Sequence, residues 1–204
     1  MTIGLALKLP LSTAIGAVIA TGGAVQVTAP LSDVRPNQTQ NDDIIWLFTE
    51  QTNYVLPSPL TVNITAPGSY SSYPSSLVSI LPAGMRVDVY FMHFDPVHSR
   101  RRQGYVRFNT PILGVIVRKD QLFASNFLGV PGTLYPTSGD LIALENGQDK
   151  VNLSSDMKEL SVNWFANTPG DRIRIITAAI PEPSTMLLFA LGLAGASMRL
   201  RKRA

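Results

Sequence analysis

The 204-residue chain contains no cysteine and only two histidines, His93 and His98. Without cysteine, neither a disulfide framework nor a thiol nucleophile is available, so side-chain packing must stabilise the fold. The G-x-S-x-G and S-x-x-K motifs of serine nucleophiles are missing as well. With so few groups for activating a nucleophile, we expect a protein that is not an enzyme.

A strong excess of charge is also missing from the central part of the chain. Although the whole chain has a net charge of +3, five of its 17 basic residues lie near the two ends. Between Val25 and Pro181 there are 12 basic and 13 acidic residues. Nucleic-acid-binding domains carry a basic surface, so no nucleic-acid partner is predicted.

Residues 1–24 are predicted to be a secretory signal peptide. Lys8 supplies a weak positive region, and an uncharged, mostly apolar run extends from Leu9 to Ala20. Gly22 and Ala24 are small residues of the kind that signal peptidase prefers at positions −3 and −1. Cleavage is therefore predicted after Ala24. A buried N-terminal helix is the alternative, which Gly16, Gly22 and Gly23 disfavour.

Residues 180–204 combine three parts that are typical of an anchor removed after sorting. The peptide Pro181-Glu182-Pro183 cannot continue a helix or a strand and is expected to be extended and accessible. The uncharged run Thr185–Met198 is shorter than the roughly 20 residues of a comfortable membrane span, but bilayer thinning makes a transmembrane helix feasible. The basic cluster at 199–203 would stay in the cytoplasm.

This tail resembles the PEP-CTERM sorting signal, which exosortases of Gram-negative bacteria recognise. The resemblance implies an exported protein with a transient inner-membrane anchor, cut near Pro181, Glu182 and Pro183 by an exosortase. Signal peptidase would process the other end. Many proteins of this kind come from bacteria that make exopolysaccharide and biofilm. A plain tail anchor without processing is the alternative reading of the same hydrophobicity.

The intervening residues 25–179 are enough for one domain with a sizeable core. Their apolar residues follow the pattern of short strands, at 44–49, 86–94, 104–109, 112–117, 150–153, 160–165 and 172–177. Residues 55–77 are interpreted as loop and edge strand, and Lys119–Leu128 as one possible short helix. The prediction is an all-β fold, an antiparallel β-sandwich of jelly-roll kind. In its last strand, Arg172 and Arg174 alternate with Ile173 and Ile175.

The same domain resembles a recurrent all-β type of PEP-CTERM ectodomain. The resemblance rests on segments such as YFMHFDPV at 90–97, LGVPGTLYP at 128–136 and DRIRIITA at 171–178. It implies an exported all-β domain and supplies no activity.

The segment HFDPVH is the candidate for a metal site. On a strand, His93 and Asp95 would share one face, and a turn at Pro96 could bring His98 back, giving two imidazoles and a carboxylate for a transition metal. The alternative, which we favour, is structural. Aspartate before proline commonly opens a turn with its carboxylate on backbone amides, and a neighbouring histidine is often its hydrogen-bond partner.

Other candidate sites are weaker. The carboxylates in the loop-rich region after residue 139 suit Ca²⁺, although no calcium-loop motif is present; they are Asp140, Glu145, Asp149 and Asp156. The run Arg100–Arg102 could contact an anionic polysaccharide, but a solvated hairpin tip is the preferred interpretation. Five aromatic residues could include a sugar-stacking platform, namely Trp46, Tyr70, Tyr73, Tyr135 and Trp164. Core packing is expected for the two tryptophans.

Two functions follow from these observations. The first is a structural or adhesive protein of the cell surface or extracellular matrix, acting in exopolysaccharide or biofilm. The second is a carbohydrate-binding module for an extracellular polysaccharide. No cofactor is expected, apart from the possible Ca²⁺.

Overall fold

The computed structural model describes residues 17–72, 79–138, 144, 147–166 and 170–180. Except for Ile180, these residues belong to one compact unit, Gly16–Ala179. Their strands are β1 (Val18–Gly23), β2 (Val25–Val27), β3 (Ile45–Val55), β4 (Leu60–Val62), β5 (Gly68–Tyr70), β6 (Ser79–Leu81), β7 (Arg86–Phe94), β8 (Arg100–Phe108), β9 (Ile112–Ile116), β10 (Lys150–Leu153), β11 (Glu159–Ala166) and β12 (Asp171–Ala178). A short helix, α1 (Lys119–Ala124), is followed by a 3-10 turn at Asn126–Leu128.

The strands form two five-stranded sheets and one small two-stranded sheet. Sheet A has the order β1-β8-β11-β10-β5, and sheet B has the order β2-β3-β7-β12-β9. The pairing is antiparallel except between β2 and β3, which are parallel. Strands β4 and β6 form the small sheet.

The two large sheets share one hydrophobic core. In sheet A, β11 alternates strictly, with Leu160, Val162 and Trp164 buried and the residues between them more exposed. This period of two follows from the alternation of side chains along a strand. Sheet B contributes buried residues such as Tyr90, whose ring centroid lies 4.6 Å from that of Phe108 in sheet A.

Sheet B is buried on both faces. Its second face is covered by a smaller cluster in which Phe48 and Phe91 contact Leu31, Val34, Val130 and Tyr135. As a result, every residue of β12 except the last is buried, including Arg172 and Arg174. The alternation of Arg with Ile in this strand therefore does not mark a solvent-exposed face. Segments from elsewhere in the chain cover the face of β12 that carries the two arginines.

The predicted all-β fold is confirmed. Seven of the observed strands coincide with the seven predicted segments within a few residues, and the predicted helix at 119–128 is present as α1 and the 3-10 turn. Strands β1, β2 and β6 were not predicted. Strand β1 lies inside residues 1–24, so cleavage after Ala24 would remove it; the boundaries 1–24, 25–179 and 180–204 stay predictions. In the described part of the chain, no helix has the length and apolar character needed to cross a membrane.

Candidate functional site

The centre of the outer face of sheet A is polar. On β8, the odd-numbered residues from Arg101 to Tyr105 are exposed, whereas Val106 and Phe108 are buried in the core. On β10, Lys150 and Asn152 are exposed and alternate with buried neighbours. Because sheet B has a covering layer and sheet A presents this face to solvent, the outer face of sheet A is the accessible one.

Cross-strand pairing arranges these polar residues in rows. One row runs from Gly22 on β1 through Tyr105, Ser161 and Asn152 to Ser69 on β5. Directly opposed residues in such rows have Cβ atoms roughly 5 Å apart, so their side chains can contact one ligand together.

The next row adds an amide pair and a cation. It contains Gln103, Asn163 and Lys150, because Asn163 pairs with Gln103 on one side and Lys150 on the other. The row beyond it contains Arg101 opposite Phe165. Amide, hydroxyl and cationic groups are thus concentrated on three neighbouring strands.

The first two rows line an open depression of about 440 Å³, here called the groove. Its polar lining includes Ser69, Gln103, Tyr105, Lys150, Asn152 and Asn163. A second depression of about 590 Å³ shares Gln103 with the groove and is lined by Ala24, Asp43, Arg101 and Arg102. The Gln103 and Asn152 side chains donate to and accept from no other described residue, so their amides are available to a ligand.

The ring of Tyr105 lies against β1 at the end of the groove. A Cβ atom placed on Gly22 would fall 2.4 Å from Cε1 of this ring, so the close approach depends on glycine. The Tyr105 side chain is partly exposed. An exposed aromatic ring beside amide and hydroxyl groups can pack against the apolar face of a ligand while the polar groups bind its hydroxyls.

Arg101, which lines the second depression, is held in a defined orientation. Its guanidinium lies over the Phe165 ring, 5.3 Å from the ring centroid. Its Nη1 donates to the Gln148 carbonyl oxygen at 3.1 Å and to Oδ1 of Asn163 at 3.0 Å. Cation–π contact and hydrogen bonding together restrict the side chain before any ligand arrives.

The preferred interpretation of Arg100–Arg102 as a hairpin tip is wrong. These residues begin β8, which pairs with β1 and β11, whereas β7 belongs to the other sheet. The connection between β7 and β8 therefore crosses between sheets and does not form a hairpin. Arg102 binds Asp43 and Arg101 contacts Asn163, so the arginines make specific contacts on sheet A.

The residues of the HFDPVH segment occupy two different environments. His93 and Asp95 are buried, and Nε2 of His93 lies 2.7 Å from Oγ1 of Thr39. His98 is exposed, and its Nδ1 lies 2.8 Å from Oδ2 of Asp42. Within the described ranges, no group of three or more histidine or carboxylate side chains is placed to hold a metal ion. The candidate metal site at His93, Asp95 and His98, which was not the favoured interpretation, gains no support from this arrangement.

Burial explains the protonation of the buried pair. Desolvation, together with the positive charge of Arg172, lowers the pKa of His93 to about 3, so the imidazole is neutral at physiological pH. Burial raises the pKa of Asp95, while the backbone N–H groups of residues 37–39 and the charge of Arg172 oppose the rise. The Asp95 carboxylate was expected to accept hydrogen bonds from backbone N–H groups of the turn at Pro96. Instead, both of its buried oxygens lack a hydrogen-bond partner among the described residues, and the N–H groups that act on its pKa belong to the loop before β3.

A buried ion pair connects sheet B to its covering layer. Nε of Arg174 lies 2.5 Å from Oε2 of Glu50, and its Nη2 lies 2.8 Å from Oε1. The guanidinium also donates to the Leu122 carbonyl and contacts the ring of Tyr135. Both charged side chains are fully buried. Because the two charges are matched at close range, this network links sheet B to its covering layer.

Only two of the predicted calcium ligands are described. Asp149 is buried, and its Oδ1 accepts a hydrogen bond from the Phe165 N–H at 2.8 Å. Asp156 lies on the surface, where bonds from Ser154, the Lys158 N–H and Arg107 lower its pKa to about 2. Asp140 and Glu145 lie outside the described residues, so the Ca²⁺ prediction stays a prediction.

The aromatic residues separate into core and surface. Trp164 is fully buried, as expected, and Trp46 is half-buried. Tyr70 is half-buried and donates to the Ala66 carbonyl, Tyr135 belongs to the covering layer, and Tyr73 lies outside the described residues. The ring that lines the groove, Tyr105, was missed. The polar positions of the alternating strands were the available signal, but their rows become visible only once the strand pairing is known.

Comparison with known proteins identifies the C-terminal end. Residues 179–203 match the PEP-CTERM protein-sorting motif. The chain carries a PEP-CTERM sorting motif. The motif implies export, targeting to the cell surface and processing by an exosortase. Neither the curated proteins nor the solved structures gave a match.

The PEP-CTERM sorting motif begins directly after the last strand. Strand β12 ends at Ala178 and the motif begins at residue 179. The residues Pro181, Glu182 and Pro183, the predicted transmembrane helix and the basic cluster all lie outside the described residues. The resemblance of the domain itself to PEP-CTERM ectodomains stays a prediction, because the match covers the motif alone.

Proposed function

We propose that this PEP-CTERM protein is a structural or adhesive protein of a Gram-negative cell surface that binds exopolysaccharide of the biofilm matrix through the groove. It combines the two functions expected from the sequence, because a carbohydrate-binding surface is what an adhesive matrix protein needs. The observation that carries the proposal is the outer face of sheet A, where Gln103, Asn152 and Tyr105 present free amides and an exposed ring on β8 and β10, the two strands that flank β11.

The shape of the groove suits a chain better than a small molecule. It is open along the sheet and continues into the second depression through Gln103. Sugar rings have apolar faces that pack on aromatic side chains and hydroxyls that bond to amides. A polysaccharide can occupy both depressions at once, so weak contacts at successive sugar units would add up.

We also propose that the protein binds rather than catalyses. In support, the neutral His93 is buried against Thr39, and the exposed His98 is bonded to Asp42. Neither histidine lines the groove.

The test measures binding of the full-length chain to a glycan array and to the exopolysaccharide of the producing organism. We expect selective binding in the micromolar range. The double variant Gln103→Ala/Asn152→Ala should bind about tenfold more weakly, the equivalent of about 1.4 kcal/mol. Its melting temperature should be unchanged, because these side chains form no hydrogen bond with any described residue.

The matched control is Phe127→Ala, which removes an exposed aromatic side chain outside the groove. Its binding should equal that of the wild type. Absence of binding to every glycan, or equal binding by the double variant and the wild type, would show that the groove is not a polysaccharide site.

A further inference from the structure

We propose that the groove and the adjoining second depression together select acidic polysaccharides, with Lys150 of the groove and Arg101 of the second depression holding carboxylate groups of the glycan. This inference rests on the proposed function, because it names the class of polysaccharide that the same groove binds. The glycan chemistry in question is a uronic acid unit, which offers a carboxylate on a sugar ring that also carries hydroxyls.

The first support is the set of hydrogen bonds that Arg101 makes. Both bonds, to the Gln148 carbonyl and to Asn163, come from Nη1. Within the described parts of the chain, its Nε and Nη2 donate to no protein atom. These two nitrogens form one edge of the guanidinium, which matches the two oxygens of a carboxylate. The Phe165 ring beneath the guanidinium fixes its plane.

The second support is the contrast between Arg101 and the other arginines of β8. Arg102 binds Asp43, and Arg107 lies 2.5 Å from Asp156. Nε of Arg100 lies 3.8 Å from Oδ2 of Asp42. Among the described residues, Arg101 is the β8 arginine that has no carboxylate partner. A restricted, exposed arginine without a counter-charge is suited to an anionic ligand.

The third support is a second cation beside the first. Lys150 is exposed and pairs with Asn163, whose Oδ1 accepts the bond from Arg101. The two cations therefore lie on either side of Asn163 on one face of the sheet. Lys150 forms no salt bridge with any described residue. The neighbouring Asp149 is buried and bonded to the Phe165 N–H, so it is not exposed to the groove.

Neutral amides continue the site away from the two cations. Gln103 lies next to Asn163 in the same row, and Asn152 lies in the next row. A uronate unit bound at Arg101 would place the following sugar hydroxyls over these amides. The charged end would set the choice of glycan, and the amides would supply contacts common to neutral and acidic sugars.

The experiment compares acidic polysaccharides with their neutral derivatives. The full-length chain is assayed against polygalacturonate and alginate, each beside its fully methyl-esterified form, which keeps the sugar skeleton and removes the charge. We expect binding to the acidic forms, at least about tenfold weaker binding to the esters, and weaker binding at high salt. Arg101→Gln should lower the affinity about tenfold. Arg101→Lys should lower it less, because lysine keeps the positive charge and loses only the paired N–H donors of the guanidinium.

The control is Arg118→Gln, which removes the same charge from an exposed arginine paired with Asp120 elsewhere on the protein. Its affinity should equal that of the wild type. Equal weakening by Arg118→Gln and Arg101→Gln would assign the effect to net charge and overturn the inference. Equal binding of acids and esters would also overturn it, while leaving polysaccharide binding by the groove intact. Loss of all glycan binding would remove the proposed function as well.

Discussion

His93 shows how burial converts an ordinary side chain into a pH-dependent element of stability. Its imidazole is completely buried, lies beside the charged Arg172, and has a pKa of about 3 instead of the usual 6.5. In the unfolded chain the same histidine binds a proton below about pH 6.5. Between these two values the unfolded state binds more protons than the folded state, so stability falls as the pH falls.

The expected effect is a loss of about 2 kcal/mol of unfolding free energy between pH 7 and pH 5 from this one group. His93→Gln should remove that part of the pH dependence, even if it lowers stability at pH 7. Urea unfolding of wild type and variant at both pH values measures the difference. Asp95, whose pKa is raised, acts in the opposite direction but is present in both proteins.

Between pH 7.5 and 8.5, where His93 is neutral in both states, the two proteins should show the same pH dependence. Identical slopes for wild type and variant between pH 7 and pH 5 would contradict the assignment.

The buried arginines mark the limit of prediction at the residue scale. The alternation of arginine with isoleucine correctly indicated a strand. It could not identify the residue that pairs with Arg174. That partner, Glu50, is 124 positions away along the chain. Its proximity depends on β3, β7 and β12 forming one sheet, which no local pattern contains. Likewise, the sequence singled out His93 and Asp95 as a possible pair. Their burial could not be predicted, because it depends on the loop at 37–39.

At the scale of elements, turn residues and alternation predicted most strands well. The predicted segments 86–94 and 150–153 agree with β7 and β10 at both ends. Strand β1 was missed because an apolar run with small residues fits both a signal peptide and an edge strand. The groove was missed for a different reason. Its rows require the register of β8, β11 and β10, whereas each strand alone shows only one or two polar residues.

Strand β1 gives the prediction that belongs to this scale. A chain that begins at Val25 should be less stable than one that begins at Ala17. It loses the pairing of β1 with β8 and the contact of the Ala17 N–H with Oδ1 of Asn109 at 2.8 Å. We expect a loss of about 2 kcal/mol, or a melting temperature lower by about 4–8 °C.

Thermal unfolding of the two chains measures this loss. Equal melting temperatures would mean that β1 adds nothing to the domain. N-terminal sequencing of the mature protein then shows which of the two forms the cell makes, and thereby tests the predicted cleavage after Ala24.

At the scale of the whole molecule, the sorting motif predicts which residues the mature protein retains. Exosortase processing near Pro181, Glu182 and Pro183 should release everything that follows the cleavage site. Mass spectrometry of protein recovered from the cell surface should therefore find peptides up to about Ala178 and none containing Arg199. A variant with alanines at the three motif positions is the control, and it should retain the tail. Recovery of Arg199 from the wild-type surface protein would argue against processing.

The position of β12 has a consequence for the timing of secretion. This strand is the last of the domain and lies inside sheet B, between β7 and β9. A chain that crosses the membrane from its N-terminus delivers β12 last, so sheet B cannot close while residues 171–178 are still in the translocation channel. Pairing between distant strands is slow in any case. Sheet B is thus completed only when the sorting motif itself arrives at the membrane, so completion of the fold coincides with presentation of the motif to its protease.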